Sequence, residues 1–488
     1  MSLTRRQFIQ GGAAAGISLA TVPASWASTP PLPSINGDIR VAVAGIRSRG
    51  HAHIEGFRRL EGVRVVALCD VDRGVLANRA AEFEKRGESV DTAVDLRELL
   101  DREDIDVISL ATPNHWHSLA TIWACQAGKD VYVEKPVSHN IYEGRKMVEA
   151  ARRYSRIVQA GTQSRSSQGM TEAIEWIQEG NLGKITLARG LCYKPRQSIG
   201  KVTEPTVVPA SIDYDLWTGP APLVPLMRKR LHYDWHWVFD TGNGDLGNQG
   251  IHQMDMCRWA LGEQALARRV MSFGGRFGYD DDGNTPNTMV TVLEYDSAPV
   301  VFEVRGLPHD AEARKTNWGG SMDRYLGSSI GAVIHCEGGA LVLPNYTSAR
   351  ALDRQGQEIA KWAGARNHFQ NFIDAVRSRR RADLNADILE GHLSSALCHQ
   401  SNISYQIAKQ VPALRARDRI SWPAEGLVNY DRFIGHLERN EIPLESTDVA
   451  LGPVLDFDPA TERFIGNDEA NQLLSRDYRA GFTLPDEA

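Results

Sequence analysis

DIRVAVAGIRSRG, residues 38–50, sets a short β-rich run directly before a glycine turn and a helical stretch that continues through Leu60. A second apolar run, VRVVALCDVD (residues 63–72), carries Asp70 at its end. Strand, glycine turn, helix and a second strand closing on an acid are the parts of a dinucleotide-binding βαβ unit. Gly45 permits the tight turn, and backbone N–H groups at the helix start, up to Gly50, are placed to hold a pyrophosphate. The middle glycine of the fingerprint is replaced by Arg47, so Arg47 and Arg49 become candidates to reach a phosphate directly. A carboxylate at Asp70 accepts hydrogen bonds from ribose hydroxyls and repels a 2′-phosphate, which favours NAD over NADP. The competing reading is a plain glycine turn beside an ordinary strand-end aspartate.

Downstream the pattern keeps alternating. Helices are expected over residues 75–86, 118–128 and 141–154, and strands over 106–111 and 130–133. Asp95-Leu96-Arg97-Glu98 reads as a capping box opening a further helix. Alternation at this spacing implies right-handed crossovers and a parallel sheet. After about residue 160 the rhythm changes. A helix over 170–179 precedes strands at 185–193, 289–295 and 300–304, the last two with no helix between them. That implies an α+β second domain on an antiparallel or mixed sheet. Long amphipathic helices follow at 367–378 and 388–408. The expected division is a signal over 1–27, a linker over 28–37, a dinucleotide-binding domain over 38–160, a second domain over 161–425, and an extension over 426–488 that wraps the body.

A chain of 488 residues exceeds one ordinary core, which supports two domains. The net charge of −6 and the lack of a long basic block argue against nucleic acid or an anionic membrane as partner. The densest positive run, RSRRR at 377–381, reads as a solvated helix end or, less simply, an anion contact. Thr4-Arg5-Arg6-Gln7-Phe8, an apolar Gly/Ala-rich stretch through Val22, and Ser25-Trp26-Ala27 have the parts of a twin-arginine export signal cut after Ala27. The stretch is short and glycine-rich for a membrane anchor. A periplasmic or secreted protein is therefore expected, without a stable anchor. The six cysteines are scattered and lack metal-type spacing, so free buried thiols are expected.

Two further segments carry chemistry. Ala111 to His117 (ATPNHWH) closes the fourth strand, where ligands of parallel sheets sit. Thr112 and Asn114 are candidates to touch the nicotinamide side; alternatively Pro113 and Asn114 only shape the turn and cap the next helix. His115 and His117 read as structural. Glu134-Lys135-Pro136 closes the fifth strand. Lys135 there points into the cleft, where burial near an oxidised nicotinamide depresses its pKa and fits it to share a proton with a reacting hydroxyl or carbonyl. A lone lysine after a strand is otherwise a solvated residue. Glu134 joins the candidate cofactor-binding set.

Together GKDVYVEKP (residues 128–136), the TPNH segment, YKPRQSIG (193–200), DYDLWTGPAP (213–222) and HYDWHWVFDTGNGDLGNQGIHQMD (232–255) resemble the Gfo/Idh/MocA oxidoreductase family, and within it one exported subgroup. The resemblance covers residues 38 to about 420. It implies a second domain with an open, mostly antiparallel sheet that often mediates oligomerisation, hence a homo-oligomer, and no required metal. It also implies a second catalytic segment of the form Asp-x-Gly-x-His, matched here by Asn248-Gln249-Gly250-Ile251-His252. His252 would take the hydroxyl proton as hydride leaves the same carbon. Asn248 in place of the aspartate stabilises a charged imidazole less and shifts proton handling toward Lys135. Asp245 and Asp255 are possible electrostatic substitutes, Asp255 alternatively pairing with Arg258. Lys194, Arg196, Trp235 and Trp237, with His232, Asp234 and His236, are polar and aromatic enough to suit a sugar ring. The alternative is that the tryptophans are core and the charges pair among themselves. His392 and His399 read as structural.

The resulting expectation is an NAD-dependent oxidoreductase acting on a sugar or polyol with tightly bound cofactor. The alternatives are an NAD-dependent glycosidase with transient oxidation at C3, and a catalytically dead binding protein.

Overall fold

The computed structural model describes residues 37–485 apart from 421 and 423, so the expected signal over 1–27 lies outside the described residues. Six strands build the first sheet: β1 (Ile39–Ala44), β2 (Val63–Cys69), β3 (Asp91–Ala93), β4 (Val107–Leu110), β5 (Asp130–Val133) and β6 (Val158–Ala160). Their order is β3-β2-β1-β4-β5-β6, and every pair is parallel. The inner strands are nearly continuous apolar runs because helices cover both faces; β4 and β5 are buried at every position. The order reverses between β1 and β4, which opens a crevice at their carboxyl ends. Between β3 and β4 only half of the expected capping box forms: Asp95 N–H donates to Glu98 at 3.2 Å, but the Asp95 side chain accepts from Arg97 N–H at 2.9 Å rather than from Glu98 N–H, and helix Arg97–Leu100 starts after Leu96 without a side-chain cap.

The second sheet uses β7 (Ile185–Tyr193), β8 (Arg269–Gly275), β9 (Thr288–Glu294), β10 (Val300–Arg305), β11 (Ile330–Cys336), β12 (Gly339–Leu343), β13 (Ser348–Asp353), β14 (Glu358–Ala363), β15 (Lys409–Pro412) and β16 (Asp448–Leu451). The order is β14-β13-β12-β11-β7-β10-β9-β8-β16-β15, antiparallel except where β10 meets β7. On one face, helices Gln168–Gln178, Ile251–Leu261 and Ile388–Gln406 pack into the largest core, through residues such as Met170, Met254 and Leu397.

The other face is covered by the chain itself. Met322 and Tyr325 lie over Leu191, Tyr193, Val333 and Val342. Helix Ala424–Arg439 sets Tyr430, Phe433 and Leu437 on Phe273, Val290 and Val292. Under this cover Glu303 is buried and accepts from Tyr193 Oη and Arg305, each at 2.8 Å, and from Arg189. Several donors around one carboxylate offset the cost of removing it from water.

Two parts of the expected division differ. The second domain is not one continuous stretch from 161 to 425: helix His368–Ser378 returns to the first domain and buries Phe372, Ile373 and Val376 against Ile54 and Phe57. The RSRRR run sits at that junction. Arg377 donates to the Glu61 carbonyl at 2.7 Å and Arg379 pairs with Asp130. Nor does the chain beyond 425 merely wrap the body. β16 inserts between β8 and β15 in the second sheet, a further strand, Leu455–Asp458, also pairs with β8, and Phe482 and Leu484 enter the first domain's core beside Trp116. Short patterns hide this, because each piece is completed by partners far away in sequence. The six cysteines are free, five of them buried. No helix among the described residues is long and apolar enough to cross a membrane.

Candidate active site

A cleft of about 280 Å³ opens at the carboxyl ends of β1 and β4. Gly45 turns the chain out of β1 with φ +76°, and a Cβ there would lie 2.7 Å from the Ala111 backbone. Helix Ser48–Arg58 starts immediately afterwards, with no side-chain cap on its free amides. A Cβ on Gly50 would come within 1.9 Å of the Gly45 carbonyl, so the first turn of the helix rests on the loop. Uncapped amides facing a cleft form an anion site.

Asp70 lines the same cleft directly after β2. Its carboxylate accepts from Ile46 N–H and from Asp72 N–H, both at 3.0 Å, and so braces the loop. Burial nevertheless raises its pKa. Thr112 also lines the cleft, its Oγ1 buried without a hydrogen-bond partner among the described residues. An unpartnered hydroxyl in the lining of a cleft is open to a ligand group. Asn114 opens helix Asn114–Gln126 and donates to Asn243 Oδ1 at 3.0 Å across the domain boundary. His115 sits between the carbonyls of Thr241 and Trp217, and His117 between those of Pro136 and Thr112, which are structural positions.

Arg47 and Arg49 diverge. Arg47 stays at the rim of the cleft, whereas Arg49 turns inward and donates to Glu134 at 2.6 Å. Glu134 also meets His53 Nε2 at 3.0 Å. Burial pushes the Glu134 pKa up, but Arg49 and His53 overrule it and hold this carboxyl well below its usual range. Glu134 is therefore an ionised support beneath the loop. His53, which nothing local in the sequence marks, completes it.

Lys135 follows Glu134, and its peptide bond to Pro136 is cis. The side chain enters the cleft, where Nζ donates to the Asn248 carbonyl at 2.5 Å. Burial lowers its pKa to about 8; Glu134 opposes the shift, while Arg49, Lys194 and Arg196 add to it. Asn248 belongs to a π-turn, Leu246–Gly250, that opens the helix carrying His252. Wide turns of this kind favour functional sites. His252 is buried, and the Lys135 charge reaches it: burial first and Lys135 second push the imidazole pKa well down. The two candidate proton carriers thus lie within electrostatic reach of each other, Lys135 in the lining of the cleft and His252 behind it, and burial keeps His252 a neutral imidazole at pH 7.

Neither suggested substitute for an aspartate at position 248 serves His252. Asp245 takes both arms of Arg196, at 2.7 and 2.8 Å. Asp255 accepts from Arg165 at 3.0 Å and from Ser394 at 2.6 Å, with Arg258 more distant at 3.9 Å. Around them, Trp235 stacks on His236 at 3.7 Å and both line the cleft. Trp237 lies under Arg196 at 4.8 Å and does not line it. Lys194 donates to Gln249 Oε1 at 2.8 Å, and Gln249 donates to Tyr346 Oη at 2.6 Å. The Tyr346 ring sits 4.7 Å from that of His252. Tyr346 comes from the turn between β12 and β13, so no local signal could have linked it to this site.

A segment of the second domain closes the outer end. Arg73 N–H donates to Ser211 O at 2.9 Å, Asp213 N–H to Val71 O at 3.0 Å, and His232 meets Asp72 at 3.0 Å. His392 and His399 lie away from the cleft, on Glu462 and Ser138. Among the described residues no group of three or more His, Cys, Asp or Glu is placed to hold a metal ion. The glycine approach, the free amides, Asp70 and the orphaned Thr112 hydroxyl fit a bound NAD.

Comparison with known proteins agrees. Residues 39–162 match the Gfo/Idh/MocA oxidoreductase family's NAD-binding Rossmann fold, and residues 176–272 match that family's C-terminal alpha/beta domain. Curated relatives include an alpha-N-acetylgalactosaminidase of Shewanella oneidensis, 34% identical over 173 residues, and a glycosyl hydrolase family 109 protein of a Shewanella strain, 31% identical over 172 residues. Each match covers 31% of this chain and 38% of the relative, so the chain aligns with well under half of either protein. Among solved structures, the WlbA dehydrogenase from Bordetella pertussis, in complex with NADH and UDP-GlcNAcA, is 19% identical with a TM-score of 0.53, covering 74% of this chain and 94% of that one. An oxidoreductase from Thermotoga maritima is 15% identical with a TM-score of 0.53, covering 75% and 97%. At these identities the likeness is one of fold.

Proposed function

Since this chain belongs to the Gfo/Idh/MocA oxidoreductase family by both of its domains, we propose that it oxidises and reduces a secondary alcohol of a sugar or polyol with NAD bound in the β1/β4 cleft. The single observation that carries this reading is the part-buried Lys135 amine in that cleft, with its pKa lowered to about 8. NAD, when bound, supplies the hydride chemistry; the chain's own residues hold the substrate and move its proton.

Lys135 is the proton carrier. A pKa of about 8 leaves both the amine and the ammonium populated near neutral pH, which general acid–base catalysis requires. The amine accepts the hydroxyl proton in the oxidising direction, and the ammonium returns it in the other. His252, kept neutral, orients the same hydroxyl by hydrogen bonding and is the weaker base. Trp235 and His236 offer the stacked aromatic surface that the apolar face of a sugar ring requires. Gly45, Gly50, the amides at Ser48 and Asp70 hold the dinucleotide, with Arg47 left to reach a phosphate.

A second reading is favoured by the names of the curated relatives, a glycosidase and a glycosyl hydrolase. In it the oxidation is transient, at C3 of a glycoside, and cancels, so that the net reaction is hydrolysis. Two proposals concern the protein's setting. Export by the twin-arginine route rests on residues 1–27 alone. A homo-oligomer has little of the outer face of the second sheet to use except at the exposed edge strand β14, because this chain covers the rest itself.

The test is mass spectrometry of nucleotide released from purified protein, then a screen of polyols and aryl glycosides against the absorbance of bound reduced cofactor. Reduction of bound NAD by a polyol supports the first reading. Release of an aglycone without accumulation of NADH moves the assignment to the second, and protein that neither carries nor binds NAD removes both.

A further inference from the structure

We infer that the substrate of this cleft carries a negatively charged substituent, a carboxylate or a phosphate, and that Lys194 is the residue that recognises it. This rests on the reading of the cleft as a sugar site and adds the class of sugar.

The observation is an imbalance of charge. Several buried cations of the second domain meet carboxylates, Arg165 with Asp255 at 2.9 Å, Arg305 with Asp323 at 2.5 Å, and Arg189 with Glu303, whereas Arg228 lies over the Trp217 ring instead. At the reacting end, where Lys135 lines the cleft and Lys194 lies just behind the lining, the lysines lack such partners. Arg196 is neutralised by Asp245. Lys194 meets only the neutral amide of Gln249, and Lys135 only a backbone carbonyl. Glu134, the next carboxylate, is engaged by Arg49 and His53. His236 and His252 are held neutral by burial.

Two ammonium groups therefore share a part-buried site with no carboxylate bonded to either; Glu134 and Asp245 attract them only at longer range, each already held by an arginine. Each unpaired ammonium costs free energy that a neutral hydrogen bond offsets only in part. The strain is visible in the lowered pKa of both lysines. An anion seated between them removes that cost, and a neutral sugar does not.

Lys135 already has a role at the reacting hydroxyl, which leaves Lys194 for the charged substituent. Gln249 is fixed by Tyr346 at 2.6 Å, so its Oε1 presents a rigid acceptor that keeps the Lys194 Nζ in place. A compact ammonium suits either a carboxylate or a phosphate.

Isothermal titration of the purified holoprotein with D-glucuronate, D-glucose 6-phosphate and D-glucose tests this. The expected result is that one anionic sugar binds at least about ten-fold more tightly than glucose, as a charge-assisted contact implies. The glucuronate and phosphate arms then tell a uronate from a sugar phosphate. Lys194→Met is expected to erase the preference, and Lys194→Arg to restore most of it. If Lys194→Met does not fold, raising the salt concentration on the unaltered protein must shrink the preference instead. Glucose binding as tightly as both anions, no binding by any of the three, or a preference that survives Lys194→Met would each overturn the inference. Failure of the oxidoreductase reading looks different: acidic sugars would bind preferentially, yet none would change the absorbance of the bound cofactor.

Discussion

The two ends of the cleft handle charge in opposite ways. At the loop end the carboxylates are fully engaged: Asp70 braces Ile46 and Asp72, and Glu134 sits between Arg49 and His53. At the reacting end Lys135 and Lys194 hydrogen-bond only to neutral groups. Engaged carboxylates make a scaffold that holds its shape before the ligand arrives, whereas unopposed ammonium groups are reactive and available. The contrast teaches that a charged residue's neighbours, more than its type, decide whether it supports the site or acts in it.

The widest gap between the two ends should appear on removing the Lys135 amine. Lys135→Met is expected to lower kcat/KM by about 10²–10⁴-fold, the usual span for a general acid–base group, while bound nucleotide is retained. Steady-state kinetics beside nucleotide content measures both. A comparable rate in the variant would mean that His252 carries the proton.

The same group sets the pH profile. Alcohol oxidation needs the neutral amine, so kcat/KM should fall as pH drops through about 8 and level off above it. A profile breaking in the ordinary imidazole range would transfer the role to His252.

At the loop end the largest effect should come from Gly45→Val. A side chain there meets the Ala111 backbone at 2.7 Å in a left-handed conformation. The expected cost is about 1–3 kcal/mol of stability together with loss of bound nucleotide, read as a lower Tm and an empty mass spectrum. Retention of full nucleotide would show that the loop does not hold the pyrophosphate.

Smaller still, His252→Gln keeps a neutral hydrogen-bonding group in place and should cost kcat/KM about ten-fold, the worth of one hydrogen bond. Asp70→Ala strands two backbone N–H groups and should cost about 1–3 kcal/mol, with a reduced preference for NAD over NADP. Thermal melts and paired titrations with NAD and NADP measure the two parts. An unchanged preference would leave Asp70 as a brace alone.

Much of the loop end is legible in the sequence because it is local. Gly45, Gly50 and Asp70 lie within two strands and one helix, and the apolar period fixes where each strand ends. The Glu134-Lys135-Pro136 segment is legible for the same reason. What Glu134 does there is not, since His53 and Arg49 reach it from another element. The reacting end is assembled from β5, the segment after β7, the turn into helix Ile251–Leu261 and the loop before β13. Residue type alone therefore does not separate Trp235, which lines the cleft, from Trp237, which packs under Arg196. Likewise the return of helix His368–Ser378 to the first domain depends on Ile54 and Phe57, some three hundred residues away, and no periodicity announces it.

A crystal structure of the purified protein with NAD bears most directly on the whole reading. The expected result places the pyrophosphate on the free amides at Ser48 beside Gly45, with the nicotinamide reaching the shared site of Lys135 and His252. Nucleotide bound anywhere else, or a nicotinamide turned away from the Lys135 amine, would contradict it.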